Sequence, residues 1–359
     1  MTAPALDEVV EGTEPPAGPA AGTGWQPDIL GPDYRSLTID LGRDPDDEGD
    51  IVATLVRHTP TGAEPPPGPA VLYVHGFTDY FFQRPLAEFF DDRGFTFYAL
   101  DLRKCGRSLR EGQTPHYITD LEAYDTELGA ALDRVIAETG GPVLVAAHST
   151  GGLITALWLD RLRRTDAERH ARISGLALNS PWFDLQGEAY LRSVGTVLVN
   201  AVGKVDGTRV VPKELSQAYG ESIHRSVHGE WDYDLAFKPL TGFPVTFGFL
   251  SAVRHGHARL HRGLDVGVPS LVLRSDATLF TGSYRPEVDR ADAVLDVAQI
   301  ARWSGCVGKR VTVVPIPGAR HDVFLSLTEP REAAYRELDR WLSATTRSVG
   351  VVDSEGASA

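Results

Sequence analysis

The chain has 359 residues, 42% of them hydrophobic, which suffices for a large core in one α/β domain carrying an insertion or in two smaller domains. A formal net charge of -14, with Lys and Arg scattered among Asp and Glu and no basic patch in view, argues against a nucleic-acid partner. No run approaches the about 20 apolar residues of a spanning helix, and the start lacks a basic, then apolar, secretory signal, so a cytoplasmic protein without stable membrane insertion is expected.

Residues 1–24 are rich in Ala, Pro, Gly, Thr and Glu without periodic apolar positions, and residues 347–359 are similar, so both ends read as disordered tails. Polar and apolar residues alternate from Tyr34 to Leu41 and again from Ile51 to Arg57, as in antiparallel strands with one wet face. After a Pro/Gly-rich turn, Thr59 to Pro69, short apolar runs follow at Ala70–Val74, Phe95–Leu100, Pro142–Ala147, Ile173–Leu178, Pro269–Leu273 and Val311–Ile316. Such runs suit parallel strands covered on both faces. Between them, apolar residues at three-to-four spacing predict helices over Leu86–Asp92, Leu121–Glu138, Leu153–Arg163, Ala291–Trp303 and Arg331–Leu342. Strands alternating with helices make a mostly parallel, doubly wound sheet with helices on both faces. The rhythm breaks once. Residues 25–182 and 268–346 read as the α/β core, and 183–267, without a buried-strand run, as a cap inserted over the strand ends.

The strongest chemical signal is Ala147-His148-Ser149-Thr150-Gly151-Gly152, between an apolar strand and an apolar-periodic helix. A nucleophile elbow needs that context, with small residues two before and two after the serine so that the backbones can pass closely. Ala147 and Gly151 meet the requirement, although Gly is usual at the first position. The helix after Ser149 aims its N–H groups at negative charge developing beside the serine. His148 is expected to point away from the nucleophile as a packing residue.

A tetrahedral intermediate needs two N–H donors. Thr150, directly after the serine, supplies one, and Phe77 the other, because Gly76 in His75-Gly76-Phe77 lets the chain bend toward the site at the end of a buried strand. The expected general base is His321, on a Pro/Gly loop after the last strand, since histidine is the side chain best suited to taking and returning a proton near neutral pH.

In this order, His75-Gly76-Phe77, Leu100-Asp101 with Gly106 and Ser108, His148-Ser149-Thr150-Gly151-Gly152 and Gly318-Ala319-Arg320-His321 resemble the monoacylglycerol lipase and lysophospholipase-like branch of the α/β-hydrolases, sometimes labelled serine aminopeptidase-like. The resemblance spans roughly Leu37 to Leu342. It implies the α/β-hydrolase fold, Ser149 as nucleophile, His321 as base, and Phe77 and Thr150 as oxyanion donors. Cys105 stands where that family often has His.

An acid should follow the strand at Leu271–Leu273 to orient the histidine, commonly as Gly-x-x-Asp. Here the chain reads Arg274-Ser275-Asp276. Asp276, nearest the strand end, is the first choice. Asp292 is the alternative, reached if the loop Thr278 to Arg290 folds back, while Asp296 reads as structural. The two cysteines, Cys105 and Cys306, lack CxxC spacing and are expected to be free thiols of a reducing compartment.

The insertion holds His224, His228 and Glu230, then His255, His257 and His261, but their spacing matches neither HExxH nor a two-metal pattern, so no metal and no cofactor is expected. The aromatic residues from Trp182 onward, among them Phe183, Trp231, Tyr233, Phe237, Phe243, Phe247 and Phe249, are expected to divide between core and an apolar substrate pocket. The expected activity is cleavage of a small ester or lipid-like substrate through an acyl-enzyme on Ser149. A thioesterase or peptidase with the same triad, or a non-catalytic ligand-binding protein of the same fold, are the alternatives.

Overall fold

The computed structural model describes residues 24–62, 64–186, 196, 199–212 and 215–355. A nine-stranded sheet organises them, in the order β1-β2-β3-β5-β4-β6-β7-β8-β9. The first strands, β1 (Gln26–Asp28), β2 (Gly31–Arg43) and β3 (Asp50–His58), pair antiparallel, and β3 joins β5 (Thr96–Asp101) in the same sense. From β5 onward every pairing is parallel, through β4 (Gly68–Val74), β6 (Gly140–His148), β7 (Ile173–Asn179), β8 (Ser270–Ser275) and β9 (Val311–Ile316). Each expected strand is present, with β1 added at the edge.

Strand β4 shows why the central runs are continuous rather than alternating. Ala70, Leu72 and Val74 face one core cluster, together with Leu128, Leu132 and Val135 of helix α2 (Asp125–Thr139) and Leu153 and Leu157 of helix α3 (Thr150–Thr165). Val71 and Tyr73 face the other, with Leu86 and Phe90 of helix α1 (Arg84–Asp91) and with Leu338 and Trp341 of the C-terminal helix, Thr328–Glu355. A strand buried on both faces has no wet side to mark with polar residues.

Two boundaries differ from expectation, and a third lies outside the described residues. The helix expected over Ala291–Trp303 begins only at Val297, because Asp292 Oδ1 accepts from the Val294 and Leu295 N–H groups and Asp296 caps the helix by accepting from Ala298 N–H. These aspartates give the backbone a local alternative to helix. The C-terminal helix runs through Glu355, so 347–355 is helical rather than a tail without structure; no proline interrupts it after its first turn, and propagation adds a bond for each residue fixed. The tail expected over 1–24 falls outside the described residues except for Gly24.

Part of the insertion expected over 183–267 falls outside the described residues. Its last helix, Phe247–Leu260, buries Phe249, Val253 and Leu260 in the same core cluster as α3. Gly256 permits this approach: a Cβ there would lie 2.9 Å from Leu121, 3.1 Å from Leu157 and 3.2 Å from Leu153. Among the described residues, no helix is long and apolar enough to cross a membrane.

Candidate active site

Strand β6 ends at His148 and α3 begins at Thr150, leaving Ser149 alone in the turn with φ 52° and ψ -119°. A positive φ is uncommon for a residue with a side chain and persists only where the surroundings fix it. They do so here from several sides. Ser149 N–H donates to the Asn179 carbonyl at 2.9 Å, while the Ser149 carbonyl accepts from Gly152 N–H and Trp182 N–H, both at 3.0 Å. A Cβ on Gly151 would sit 2.3 Å from the His75 carbonyl oxygen, and one on Gly76 would sit 2.8 Å from Ser149 Cβ. Neither position has room for a Cβ.

His321 meets the serine from the loop after β9: its Nε2 lies 3.0 Å from Ser149 Oγ, and its Nδ1 lies 2.9 Å from Asp292 Oδ2. Asp292, not Asp276, faces the histidine. The exposed Asp276 points outward and accepts from Gly318 N–H at 3.0 Å. The loop after β8 explains the exchange, because the chain leaves at Thr278 and returns alongside itself: Asp292 N–H donates to the Ala277 carbonyl at 2.8 Å, and Leu279 N–H to the Asp292 carbonyl at 2.9 Å. That return buries Asp292 completely at the strand end. Its second oxygen accepts from Val294 and Leu295 N–H at 2.8 and 2.7 Å, so the carboxylate's orientation is fixed independently of the histidine. Asp296 has the structural role expected of it, as a helix cap.

Thr150 is the first residue of α3, where a backbone N–H has no intrahelical acceptor. Phe77 follows Gly76 at the end of β4, its ring stacked on Phe249 at 4.4 Å and edge-on to His116 at 5.0 Å. His75 braces the bend: its Nε2 accepts from Leu102 N–H at 3.1 Å, which leaves the proton on Nδ1 to donate to the Gly76 carbonyl at 2.7 Å.

His148 departs from its expected place. Its ring centroid lies 4.8 Å from that of His321, and its Nδ1 lies 3.1 Å from Asp79 Oδ2. Sequence reasoning also passed over the polar floor of the site. Buried Asp322 binds Asn179 Nδ2 at 2.6 Å, Phe324 N–H at 2.9 Å and Gln83 Nε2 at 3.2 Å, and Asn179 Oδ1 accepts from Val323 N–H at 3.1 Å. This ties the histidine loop to β7 and to the segment entering α1. The acid beside His321 and the Asn closing a buried strand were visible signals, but Gln83 lies 239 residues from its partner.

The histidines of the insertion serve local contacts. His224 Nδ1 lies 2.7 Å from Ser226 Oγ, and His257 and His261 bond the Trp182 and Phe183 carbonyls at 2.9 and 2.8 Å. Among the described residues, no three His, Cys, Asp or Glu side chains gather as a metal site. Both cysteines are free thiols, and burial pushes the Cys105 thiol well up, keeping it protonated beside His116.

Residues 65–280 match the family described as serine aminopeptidase, S33. The chain belongs to that family. This S33 family member has the α/β-hydrolase fold and is a hydrolase by its family. A comparison with curated proteins finds no match. Among solved structures it is similar to a soluble variant of monoglyceride lipase from Saccharomyces cerevisiae bound to a substrate analogue, with TM-score 0.60 and 15% identity over 86% of this chain and 96% of that one. It is also similar to the monoacylglycerol lipase of Paleococcus ferrophilus, with TM-score 0.57 and 19% identity over 77% and 94% of the two chains. A thermophilic esterase from Thermogutta terrifontis superimposes with TM-score 0.51 and 17% identity over 86% and 98%. At these identities the likeness concerns the fold.

Proposed function

We propose that the chain is a serine esterase acting on small or lipid-like carboxylic esters, with Ser149 as nucleophile, His321 as base and Asp292 as the acid that orients it. The observation that carries the reading is the unbroken chain from Ser149 Oγ through His321 to Asp292, with contacts of 3.0 and 2.9 Å. In the first step His321 Nε2 takes the Ser149 proton as Oγ bonds to the carbonyl carbon. The carbonyl electron pair moves onto oxygen, where the Phe77 and Thr150 N–H groups stabilise it. Collapse of this intermediate breaks the bond to the leaving alcohol, which departs with the proton from His321. Water then repeats the sequence on the acyl-enzyme, releasing the acid and restoring Ser149. Throughout, Asp292 holds the proton on Nδ1 and stabilises the imidazolium.

The family description adds a second reading, since a peptidase would use the same three residues on an amide. The test is a substrate panel: p-nitrophenyl esters of increasing acyl length, monoacylglycerol, lysophospholipid, an acyl thioester and an aminoacyl anilide. The esterase reading expects turnover of oxygen esters that exceeds the anilide and disappears in Ser149→Ala. Faster anilide cleavage would replace it with the peptidase reading, and ester turnover retained in Ser149→Ala would end both.

A further inference from the structure

A buried charged cluster next to His321 has no part in the steps above. Lys238, in the insertion, has its ammonium 2.9 Å from Asp79 Oδ1 and 3.4 Å from the Thr78 carbonyl. Its side chain is only 8% exposed and that of Asp79 only 2%. The ammonium faces the rings of Tyr219, Tyr233 and Phe82 at 5.8, 5.9 and 6.0 Å. The other Asp79 oxygen holds His148 Nδ1, and the His148 ring packs against His321. Burial alone would push the Asp79 carboxyl up, but the Lys238 ammonium and the His148 bond hold it well below the usual carboxylate range. It is therefore an anion at neutral pH.

Two of these residues follow Phe77 directly in the chain. Thr78 has φ 49°, and its hydroxyl accepts from Phe243 N–H at 3.2 Å. The loop carrying the proposed oxyanion donor is thus fastened to the insertion at Asp79, at the Thr78 carbonyl and at the Thr78 hydroxyl.

We propose that Asp79 and Lys238 are positioning residues, a buried electrostatic brace that reaches His321 through His148, so that the insertion helps set how readily the base accepts a proton. The inference rests on His321 being that base. A buried ion pair is weak evidence for stability, because a well-packed apolar pair often serves the fold as well. This pair joins three elements that surround the reacting serine: the loop after β4, the elbow after β6 and the insertion.

The other groups facing His321 are accounted for. Asp292 is on Nδ1, Ser149 on Nε2, and the Tyr219 ring lies edge-on at 5.5 Å, its phenol pushed well up by burial and so neutral. Asp322, next in the chain, is engaged by Asn179, Gln83 and Phe324, and Arg320 turns away to Asp289. Behind Asp79, His75 is bonded to its own loop, and burial lowers His116 well below its ordinary value, leaving it uncharged. Lys238 is thus the cation that balances Asp79.

The experiment is the pH dependence of kcat/KM on a p-nitrophenyl ester for the wild type, Asp79→Asn, Lys238→Met and the double variant, with thermal unfolding of each. Removing Lys238 leaves an uncompensated anion near the base, so the acid limb should move to higher pH by about half a unit or more. Removing Asp79 leaves the cation and should move the limb to lower pH, while the double variant returns toward wild type. Singles that lower kcat without moving the limb, or move it the same way, would overturn the brace. If a single variant fails to fold, histidine-ring nitrogen spectra of the wild type decide. The brace requires His148 to carry its proton on Nδ1 at neutral pH, and a proton on Nε2 instead would overturn it. A wild type that neither turns over esters nor labels at Ser149 would remove the esterase reading, and the brace with it.

Discussion

The turn after β6 and the loop after β8 both deliver a side chain to His321, and they do so by opposite means. Ser149 sits in a turn written into contiguous residues, a strand end, a helix start and Gly151 without room for a Cβ, and hydrogen bonds to Asn179 and Trp182 brace that turn from outside. Asp292 is placed by a return journey, in which the chain leaves the strand end and pairs back against Ala277 and Leu279. A local turn fixes its side chain by backbone geometry. A returning loop fixes it by hydrogen bonds between segments separated in the chain.

The difference can be broken most severely at the elbow. Ser149→Ala should lower ester kcat by about a thousandfold or more without loss of fold, and His321→Ala by a similar factor, because the triad acts as a unit. The double variant should be no slower than either single one, which steady-state kinetics on a p-nitrophenyl ester would show. On the loop side, Asp292→Asn should cost roughly a thousandfold or more in kcat, since Asn admits the wrong imidazole tautomer. Circular dichroism should show that variant folded, and near-normal kinetics would return the role to another acid.

The tightness of the elbow gives a third expectation. Gly151→Ala drives a methyl into the His75 carbonyl, so the backbones must separate at a cost of about 1–3 kcal/mol, with a matching fall in denaturation midpoint. An unchanged midpoint would mean that the strand ends yield more easily than their packing implies.

A fourth concerns the insertion helix. His257 accepts from Arg254 on Nδ1 at 3.0 Å and bonds the Trp182 carbonyl through Nε2, and burial, with the Arg254 cation beside it, lowers its pKa. A histidine depressed in the fold is neutral there and charged when unfolded in acid. Its contribution is complete above the unfolded value of about 6.5 and is lost as the pH falls toward the folded value. The thermal midpoint should therefore begin to drop below about pH 6.5 and go on dropping toward about pH 3, and His257→Gln should flatten that drop. An equal slope in the variant would assign the acid sensitivity to other groups. The smallest effect belongs to Asp276→Asn, which should leave kcat within about twofold and stability within about 0.5 kcal/mol, because the residue is exposed and its carboxylate accepts from Gly318 N–H away from His321.

The same contrast explains what was legible in the sequence. The buried strands, Ser149 and His321 were readable because each is announced by contiguous residues: an apolar run, small residues around a serine, a Pro/Gly loop after the last strand. Asp292 was readable only as an alternative, since nothing local distinguishes an acid that starts a helix from one that ends a loop. It is in fact followed by an Asx-type turn, and the helix waits for Asp296. The Lys238–Asp79 pair was not legible at all. Its partners are 159 residues apart, and a single lysine between Phe237 and Pro239 does not say which acid it will meet.

Activation of Ser149 by His321 can be read from the purified protein treated with a fluorophosphonate, the adduct being mapped by peptide mass spectrometry. One phosphonyl group per chain is expected, on Ser149, formed far more slowly in His321→Ala and absent in Ser149→Ala. An adduct on another residue, or ester turnover by a protein whose Ser149 stays unmodified, would contradict it.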